Sequence, residues 1–437
     1  MMLKKYIITA SILIALSALN AVAQPLTLEE CRAMALTNNK KLLSNDLSIE
    51  KSNDMLSAYK TNRLPNLSLS SNFLYSTASY TASVDIGILS LIMPTPEYEF
   101  EVDFAFNANL VLTQPIYMGG KINSAIKLAN IGVDVAELNR RQTEAEILVE
   151  TDQAFYTFLK VEELLKSAEK YHDVITEFHR QMTNACNEGM TTRNELLKVE
   201  VRLNEAKLML KQSENGLRLA RMNLCYAIGM PLTTQELSIV DNFDTELALI
   251  TDKADITNRP EYAMLEKQIE AKALETKLAR SEYLPSIAAL ASYGYINGAT
   301  INEATLLDSD SFIGGVTISV PIFHWGQGRK KISASKREEA IAQYQLEDMS
   351  QLMTLEMMQA ANQYDEASFE AVLCEESLVQ ATENMRLSLD KYNQGMETLG
   401  DYLESQALWQ KSMSDLVEAR SSQRVSYSKY LKSIGAL

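Results

Sequence analysis

Between Val133 and Glu188 the chain contains neither proline nor glycine. Through this stretch positions 147, 151, 154, 158, 161, 165, 168, 172, 175, 179, 182 and 186 alternate steps of four and three, and they carry mostly apolar or small side chains. That spacing is a coiled-coil seam. A helix from Lys121 to Asn187 would be roughly 100 Å long at about 1.5 Å per residue. Ordinary globular domains do not need such a helix, so the 437 residues are not read as two or three compact domains in a row.

The chain repeats itself. Pro115-Ile116-Tyr117 returns as Pro321-Ile322-Phe323, Asn187-x-Gly189-Met190 as Asn393-x-Gly395-Met396, and Ile228-Gly229 as Ile434-Gly435, all at one constant offset. Upstream, Asn38 and Leu64-Pro65 answer to Asn258 and Leu284-Pro285 at a slightly larger offset, so the first copy carries extra residues between its two prolines. Landmarks in one fixed order indicate a tandem-duplicated protomer. The expected organisation is a first repeat at 24–232, a linker at 233–253 and a second repeat at 254–437. Each repeat follows one itinerary: helix to a Leu-Pro stop (residues 28–62 and 254–283), two strands, a very long helix, a glycine turn and a shorter returning helix (191–227 and 398–433).

The strands carry the second constraint. Phe100, Val102, Phe104, Phe106, Ala108, Leu110 and Leu112 alternate with Glu101, Asp103, Ala105, Asn107, Asn109 and Val111. This period of two persists long enough to cross a bilayer as a tilted strand. Leu67, Leu69, Phe73 and Tyr75 alternate with Ser68, Ser70 and Asn72, and Phe312, Val316, Ile318 and Val320 behave alike. The pattern is weakest over residues 287–295. Two hairpins follow, one within 66–117 and one in the second repeat, with tips near 76–99 and 297–310. Four strands cannot close a barrel with a usable lumen, and an open sheet in lipid leaves two edges of unpaired backbone groups at several kcal/mol each. Closure with strands of other chains answers this; a soluble hairpin packed on helices is the alternative.

Composition limits the function. Lys4 and Lys5 precede an apolar run over residues 6–19, with Ala21-Val22-Ala23 before Gln24, the pattern of a secretory signal peptide at 1–23. A formal net charge of −16 and the absence of a basic stripe with interleaved aromatics argue against a nucleic-acid partner. The four cysteines are scattered without metal-ligand spacing. His172 and His179 fall on the helical seam, and the 19 methionines suit flexible seam packing better than a metal conduit. No metal site or other cofactor is expected. The carboxylates of Asp401 and Glu404 sit one helical turn apart, yet no cleft or substrate-binding aromatic set accompanies them, so no enzyme is expected.

The whole pattern resembles the TolC-like outer membrane efflux proteins. The resemblance is carried by Asn258-Arg259-Pro260-Glu261, by QPIYMGG at 114–120 and VPIFHWG at 320–326, by the duplication and by the glycine turns. It implies a mixed fold, in which a homotrimer forms a twelve-stranded membrane β-barrel from four transmembrane strands per chain, continued by an α-helical barrel of long coiled-coil helices through the periplasm. It also implies adaptor-contact tips at Gly189, Met190 and Thr191 and at Gly395 and Met396. A pore gate is implied at Asp401, Glu404 and Tyr392, with Glu195 as the tyrosine's acidic partner. Glu397 stands where the family carries a gate arginine. The implied function is the passive exit duct of a tripartite efflux system, with outer membrane lipid, a periplasmic adaptor (membrane fusion) protein and an inner membrane pump as partners. The same fold could serve as a type I protein-secretion duct, and a secreted coiled-coil scaffold without a pore is the rival from another class.

Overall fold

The computed structural model describes residues 25–77, 79–101, 104–232, 237–240, 243, 255–301 and 304–437. The expected leader at 1–23, most of the expected linker at 233–253, and Val102 and Asp103 of the alternating segment lie outside them. The chain divides into two units, one comprising the described residues of Met1–Leu47, Glu137–Met264 and Leu346–Leu437, the other those of Ser48–Ala136 and Leu265–Gln345.

Helices begin the chain. The composition of residues 28–62 predicts one helix, but two form, α1 (Leu28–Asn38) and α2 (Lys40–Thr61). Asn39 breaks them: its backbone is extended and its N–H closes α1 on the Ala35 carbonyl, while its side-chain oxygen accepts the Lys41 N–H at 2.8 Å and starts α2. An asparagine that offers the backbone a local partner competes with helix in this way.

All the strands lie in the second unit: β1 (Asn66–Tyr75), β2 (Ser79–Ser83), β3 (Glu97–Glu101), β4 (Phe104–Met118), β5 (Ser286–Ile301) and β6 (Ala304–Ser319). β1 pairs with β4, β4 with β5 and β5 with β6, all antiparallel. The register sorts the side chains by chemistry. One face carries the rows Leu67–Leu112–Ala291–Gly314 and Leu69–Leu110–Tyr293–Phe312; the opposite face carries Ser70–Asn109–Gly294–Ser311 and Asn72–Asn107–Ile296–Ser309. On that polar face Asn72 Nδ2 donates to Asn107 Oδ1 at 3.1 Å. Among the described residues β1 has a partner only on its β4 side and β6 only on its β5 side.

Both hairpin tips differ from the expectation. The span 76–99 is not a simple loop, because Glu97-Tyr98-Glu99-Phe100-Glu101 continues the alternation of β4 and pairs with β2 from Ser79↔Glu101 to Ser83↔Glu97; a 3-10 turn, Gly87–Leu91, lies between them. In the second hairpin strand pairing runs through the expected loop to Ile301↔Ala304. Acidic residues there do not end the strand, since Asp310 and Asp308 accept hydrogen bonds from the Tyr293 and Tyr295 hydroxyls at 2.8 and 2.7 Å.

The remaining helices are α3 (Lys121–Asn187, 67 residues), α4 (Arg193–Ala227, 35 residues), α5 (Pro260–Ser281), α6 (Gln327–Asn393, 67 residues) and α7 (Leu399–Ser433, 35 residues). Ile147, Thr151, Ala154, Phe158, Ala168, Ile175 and Met182 of the α3 seam are buried, whereas His172 and His179 are only partly so. Asp152, fully buried on α3, ties three helices together. Arg32 of α1 donates to its two oxygens at 2.7 and 2.6 Å, and Ser428 of α7 donates to it at 2.6 Å. In this pair the hydrogen bond to Asp152 leads the causes that raise the Arg32 pKa.

Candidate functional site

Four long-helix ends share one chemistry. After α3 the Met190 N–H reaches back to the Ala185 carbonyl and the Gly189 N–H to Cys186; after α6 the Met396 and Gly395 N–H groups reach Lys391 and Tyr392. Gly229 with Met230, and Gly435 with Ala436, repeat the pattern after α4 and α7. This Schellman closure needs a left-handed residue, and the four glycines have φ of +74°, +72°, +72° and +68° in the order 189, 395, 229, 435. Gly189 and Gly395 meet nothing around them, while Gly229 and Gly435 lie against Asn38 and Asn258.

At the first tip Met190 is 77 % exposed, and at the second Met396 is 72 % exposed. Each methionine is followed by an N-cap that restarts the chain as helix. Thr192 Oγ1 accepts the Glu195 N–H at 3.3 Å, and Thr398 Oγ1 accepts the Asp401 N–H at 3.3 Å. In the second tip the box is complete, because Asp401 Oδ2 accepts from the Thr398 N–H at 3.1 Å and from its hydroxyl at 2.7 Å. Those two bonds hold the Asp401 carboxyl below its ordinary range. In the first tip the Glu195 carboxylate turns instead to the Thr191 hydroxyl.

The residues expected to make a gate therefore occupy distinct settings. Asp401 is a capping residue on the exposed side of α7, and Glu404 is exposed one turn further along. Tyr392 is packed inward: its ring stacks on Tyr402 at 5.8 Å, meets Phe178 edge-on at 5.9 Å, and its hydroxyl donates to the Met182 sulfur at 3.3 Å. Burial pushes its phenol up, and the negative charge of Glu195 adds to the push. The two are neighbours, but the hydrogen bonds of the chain go to Met182 and Thr191. Glu397 has partners that the sequence did not reveal. Ser388 Oγ donates to it and Lys391 Nζ lies 3.0 Å away, so its carboxyl is held low and the second tip is pinned to the last turns of α6. Nothing in the spacing marks Ser388, since it becomes a partner only when the turn folds back.

Beneath the tips an apolar cluster joins four helices: Phe178 and Met182 of α3, Leu196 and Val199 of α4, Leu389 and Tyr392 of α6, and Leu399, Tyr402 and Leu403 of α7. Two hairpins are thus bound side by side through their ends. Gln406, fully buried one turn above, donates to the Tyr402 hydroxyl at 2.6 Å. Among the described residues no three His, Cys, Asp or Glu side chains converge as metal ligands.

The sequence profile described as outer membrane efflux protein matches residues 32–230 and 254–436, most of the chain. The chain belongs to the outer membrane efflux protein family. This outer membrane efflux protein accordingly resides in the outer membrane, with its helices extending into the periplasm. No described helix is long and apolar enough to cross a membrane. Solved structures share the fold at low identity. The CmeC outer membrane channel of Campylobacter jejuni superposes with a TM-score of 0.76 at 17% identity, covering 94% of this chain and 85% of that one. VceC of Vibrio cholerae gives 0.72 at 15% (93% and 96% covered), and the open state of the Neisseria gonorrhoeae MtrE outer membrane channel gives 0.73 at 17% (93% and 88% covered). A comparison with curated proteins found no match. The family and these neighbours are channel proteins rather than enzymes.

Proposed function

We propose that this protein is the outer membrane channel-tunnel of a tripartite efflux system: a passive exit duct for small molecules delivered by an inner membrane pump through a periplasmic adaptor. The observation that carries the proposal is the sheet. Among the described residues it has an apolar face, a face rich in serine and asparagine, and two edges, β1 and β6, each paired on one side only. In hydrocarbon an unpaired edge group costs several kcal/mol, so two exposed edges would cost on the order of tens of kcal/mol. Closure of β1, β4, β5 and β6 with those of two further copies satisfies both edges and gives a twelve-stranded barrel with a wet lumen. The tandem duplication expected from the sequence accounts for two helices of 67 residues and two of 35.

In this proposal six helical tips per trimer dock the adaptor, with Met190 and Met396 as apolar contacts held in place by Gly189 and Gly395 and flanked by Thr191. Threefold symmetry would set three Asp401 and three Glu404 carboxylates about one axis, beside the packed Tyr392 and Glu195. Such rings favour cations. Planar-bilayer recordings test the channel and its gate together, with Glu404→Gln and Asp401→Asn beside the wild type. Small cation-selective steps that lose selectivity in the variants are expected. Pores with unchanged selectivity would remove the gate assignment, and folded protein that conducts nothing would remove the channel.

A further inference from the structure

All four long strands enter and leave the helices at one edge of the sheet, as the pairs Asn66↔Thr113, Met118↔Ser286 and Ser286↔Ser319 show. The charge of this edge is opposite to that of the chain. Residues 58–66, 113–133, 276–286 and 320–337 carry eleven Lys and Arg (Lys60, Arg63, Lys121, Lys127, Lys277, Arg280, Arg329, Lys330, Lys331, Lys336 and Arg337) and one acid, Glu282, although the formal net charge of the chain is −16. All eleven are exposed. Among the described residues Glu282 pairs with Lys331 at 3.5 Å. Further along the helices Asp134 is already held by Lys267 at 2.9 Å, and Glu275 and Glu338 by Lys272 at 2.9 and 3.8 Å. The protein thus surrounds these cations with few anions of its own.

Four of them, Lys121, Arg329, Lys330 and Lys331, also oppose a helix dipole, whereas Lys60 and Arg280 lie in last turns that favour a cation. α3 opens at Lys121, α6 carries Arg329, Lys330 and Lys331 in its opening turns, and neither helix has an acid in its first turn. Cations at the positive end of a helix are disfavoured. An outside source of negative charge removes that cost.

Directly beside the cations the sheet ends in an aromatic and aliphatic lip. Ile322 and Trp325 are 92 % and 91 % exposed, Phe323 packs edge-on against Trp325 at 5.0 Å, and Ile116 and Tyr117 occupy the matching end of β4. The lip follows the apolar row Phe312, Val316 and Ile318 of β6, with Val320 just past its end. From Phe312 to Ile318 the row within β6 covers about 14 Å of height at a strand rise of roughly 3.4 Å and a tilt of about 45°, and Val320 and Ile322 carry exposed apolar side chains past the end of the strand, the sense in which the apolar band of a membrane barrel would continue. Aromatic side chains suit the boundary between hydrocarbon and headgroups. Because the helices extend into the periplasm, the boundary they leave from is the periplasmic one.

We propose that the strand–helix junctions form a cationic collar that binds the anionic phospholipid headgroups of the periplasmic leaflet, with Arg329, Lys330 and Lys331 at its centre. This rests on the lipid-facing reading of the strands. The collar would fix the height of the barrel in the bilayer and gather acidic lipid around it. Each cation near an anionic surface favours the bound state roughly fivefold, so three together are expected to contribute about a hundredfold.

Trp325 supplies the reporter, being one of two tryptophans. The full chain carrying Trp409→Phe is reconstituted into vesicles containing either brominated phosphatidylglycerol or brominated phosphatidylcholine, and quenching of Trp325 fluorescence is followed. Stronger quenching by the anionic lipid is expected, weakening as salt is raised and lost in the Arg329→Gln, Lys330→Gln, Lys331→Gln variant. Equal quenching by both lipids at low salt would overturn the collar while leaving the lipid-facing strands in place. Quenching by neither would overturn the lipid-facing placement itself. If inorganic phosphate abolishes the preference where chloride of equal ionic strength does not, the site takes free phosphate and the membrane assignment falls. The salt titration needs only the Trp409→Phe protein, so the test does not depend on the triple variant folding.

Discussion

Replacing Gly229 by alanine separates two costs that usually arrive together. Its φ of +72° disfavours any L side chain, and an added Cβ would sit 2.6 Å from Asn38 Cβ and 3.3 Å from the Asn38 carbonyl group. Gly189 has nearly the same φ, +74°, and the same hydrogen-bonded closure, but a Cβ there meets nothing within 4 Å. The left-handed conformation costs alanine about 1–2 kcal/mol, offset by about 0.4–1 kcal/mol because alanine has less freedom to lose on folding. Gly189→Ala is therefore expected to destabilise by about 1 kcal/mol. Gly229→Ala adds overpacking of about 1–3 kcal/mol, for a total of about 2–4 kcal/mol. The second pair repeats the contrast, since Gly435 would place its Cβ 2.8 Å from the Asn258 carbonyl carbon and oxygen while Gly395 is open. Denaturant midpoints from circular dichroism at 222 nm in detergent give the comparison. Equal losses for Gly229→Ala and Gly189→Ala would refute the steric part, and the backbone alone would then account for the glycine.

Other outcomes follow from the same structure. Asp152→Ala leaves Arg32 without its bidentate partner and is expected to cost about 3–5 kcal/mol, with much of the loss recovered when Arg32→Met and Asp152→Leu are combined; an additive double variant in the same denaturation assay would show that the pair is not coupled. The Asp401 carboxyl is expected to titrate below the ordinary value of about 3.9, because Thr398 stabilises its charged form. Depressed in the fold, it strengthens the start of α7 fully above about pH 4 and loses that effect as pH falls through its own lower midpoint. A carbon-detected titration in wild type and Thr398→Val checks this, and identical midpoints would remove the cap as the cause.

Much of the architecture was legible because it rests on long, periodic signals. The α3 seam was readable from spacing alone, and its core positions Ile147, Ala154, Phe158, Ile175 and Met182 are buried. Glycine at the tips was readable because a left-handed residue after a long helix favours it over any residue with a Cβ. What failed was local. Asn39 splits a helix by a side-chain bond that composition does not advertise. Asp308 and Asp310 looked like loop residues until cross-strand tyrosines supplied their donors. At the tips, Ser388 and Lys391 become partners of Glu397 only through the turn. Asp401 looked like a free pore carboxylate, yet its distance of three residues from Thr398 also fits a capping box, a second meaning that the sequence held in plain view.

In the proposed barrel the strands β1 and β6, each paired on one side among the described residues, also bear on the order of events in the cell. A solitary chain carries into hydrocarbon the same unpaired backbone that keeps irregular peptide out of membranes, so it belongs on the aqueous side until neighbours arrive. Insertion then becomes a step whose rate rises steeply with the local supply of subunits. A subunit whose β6 is slipped by one residue would turn its polar side chains to the lipid face and its apolar ones to the lumen. One such chain would spoil the proposed ring it enters, and a minority of altered copies would silence a majority of normal ones.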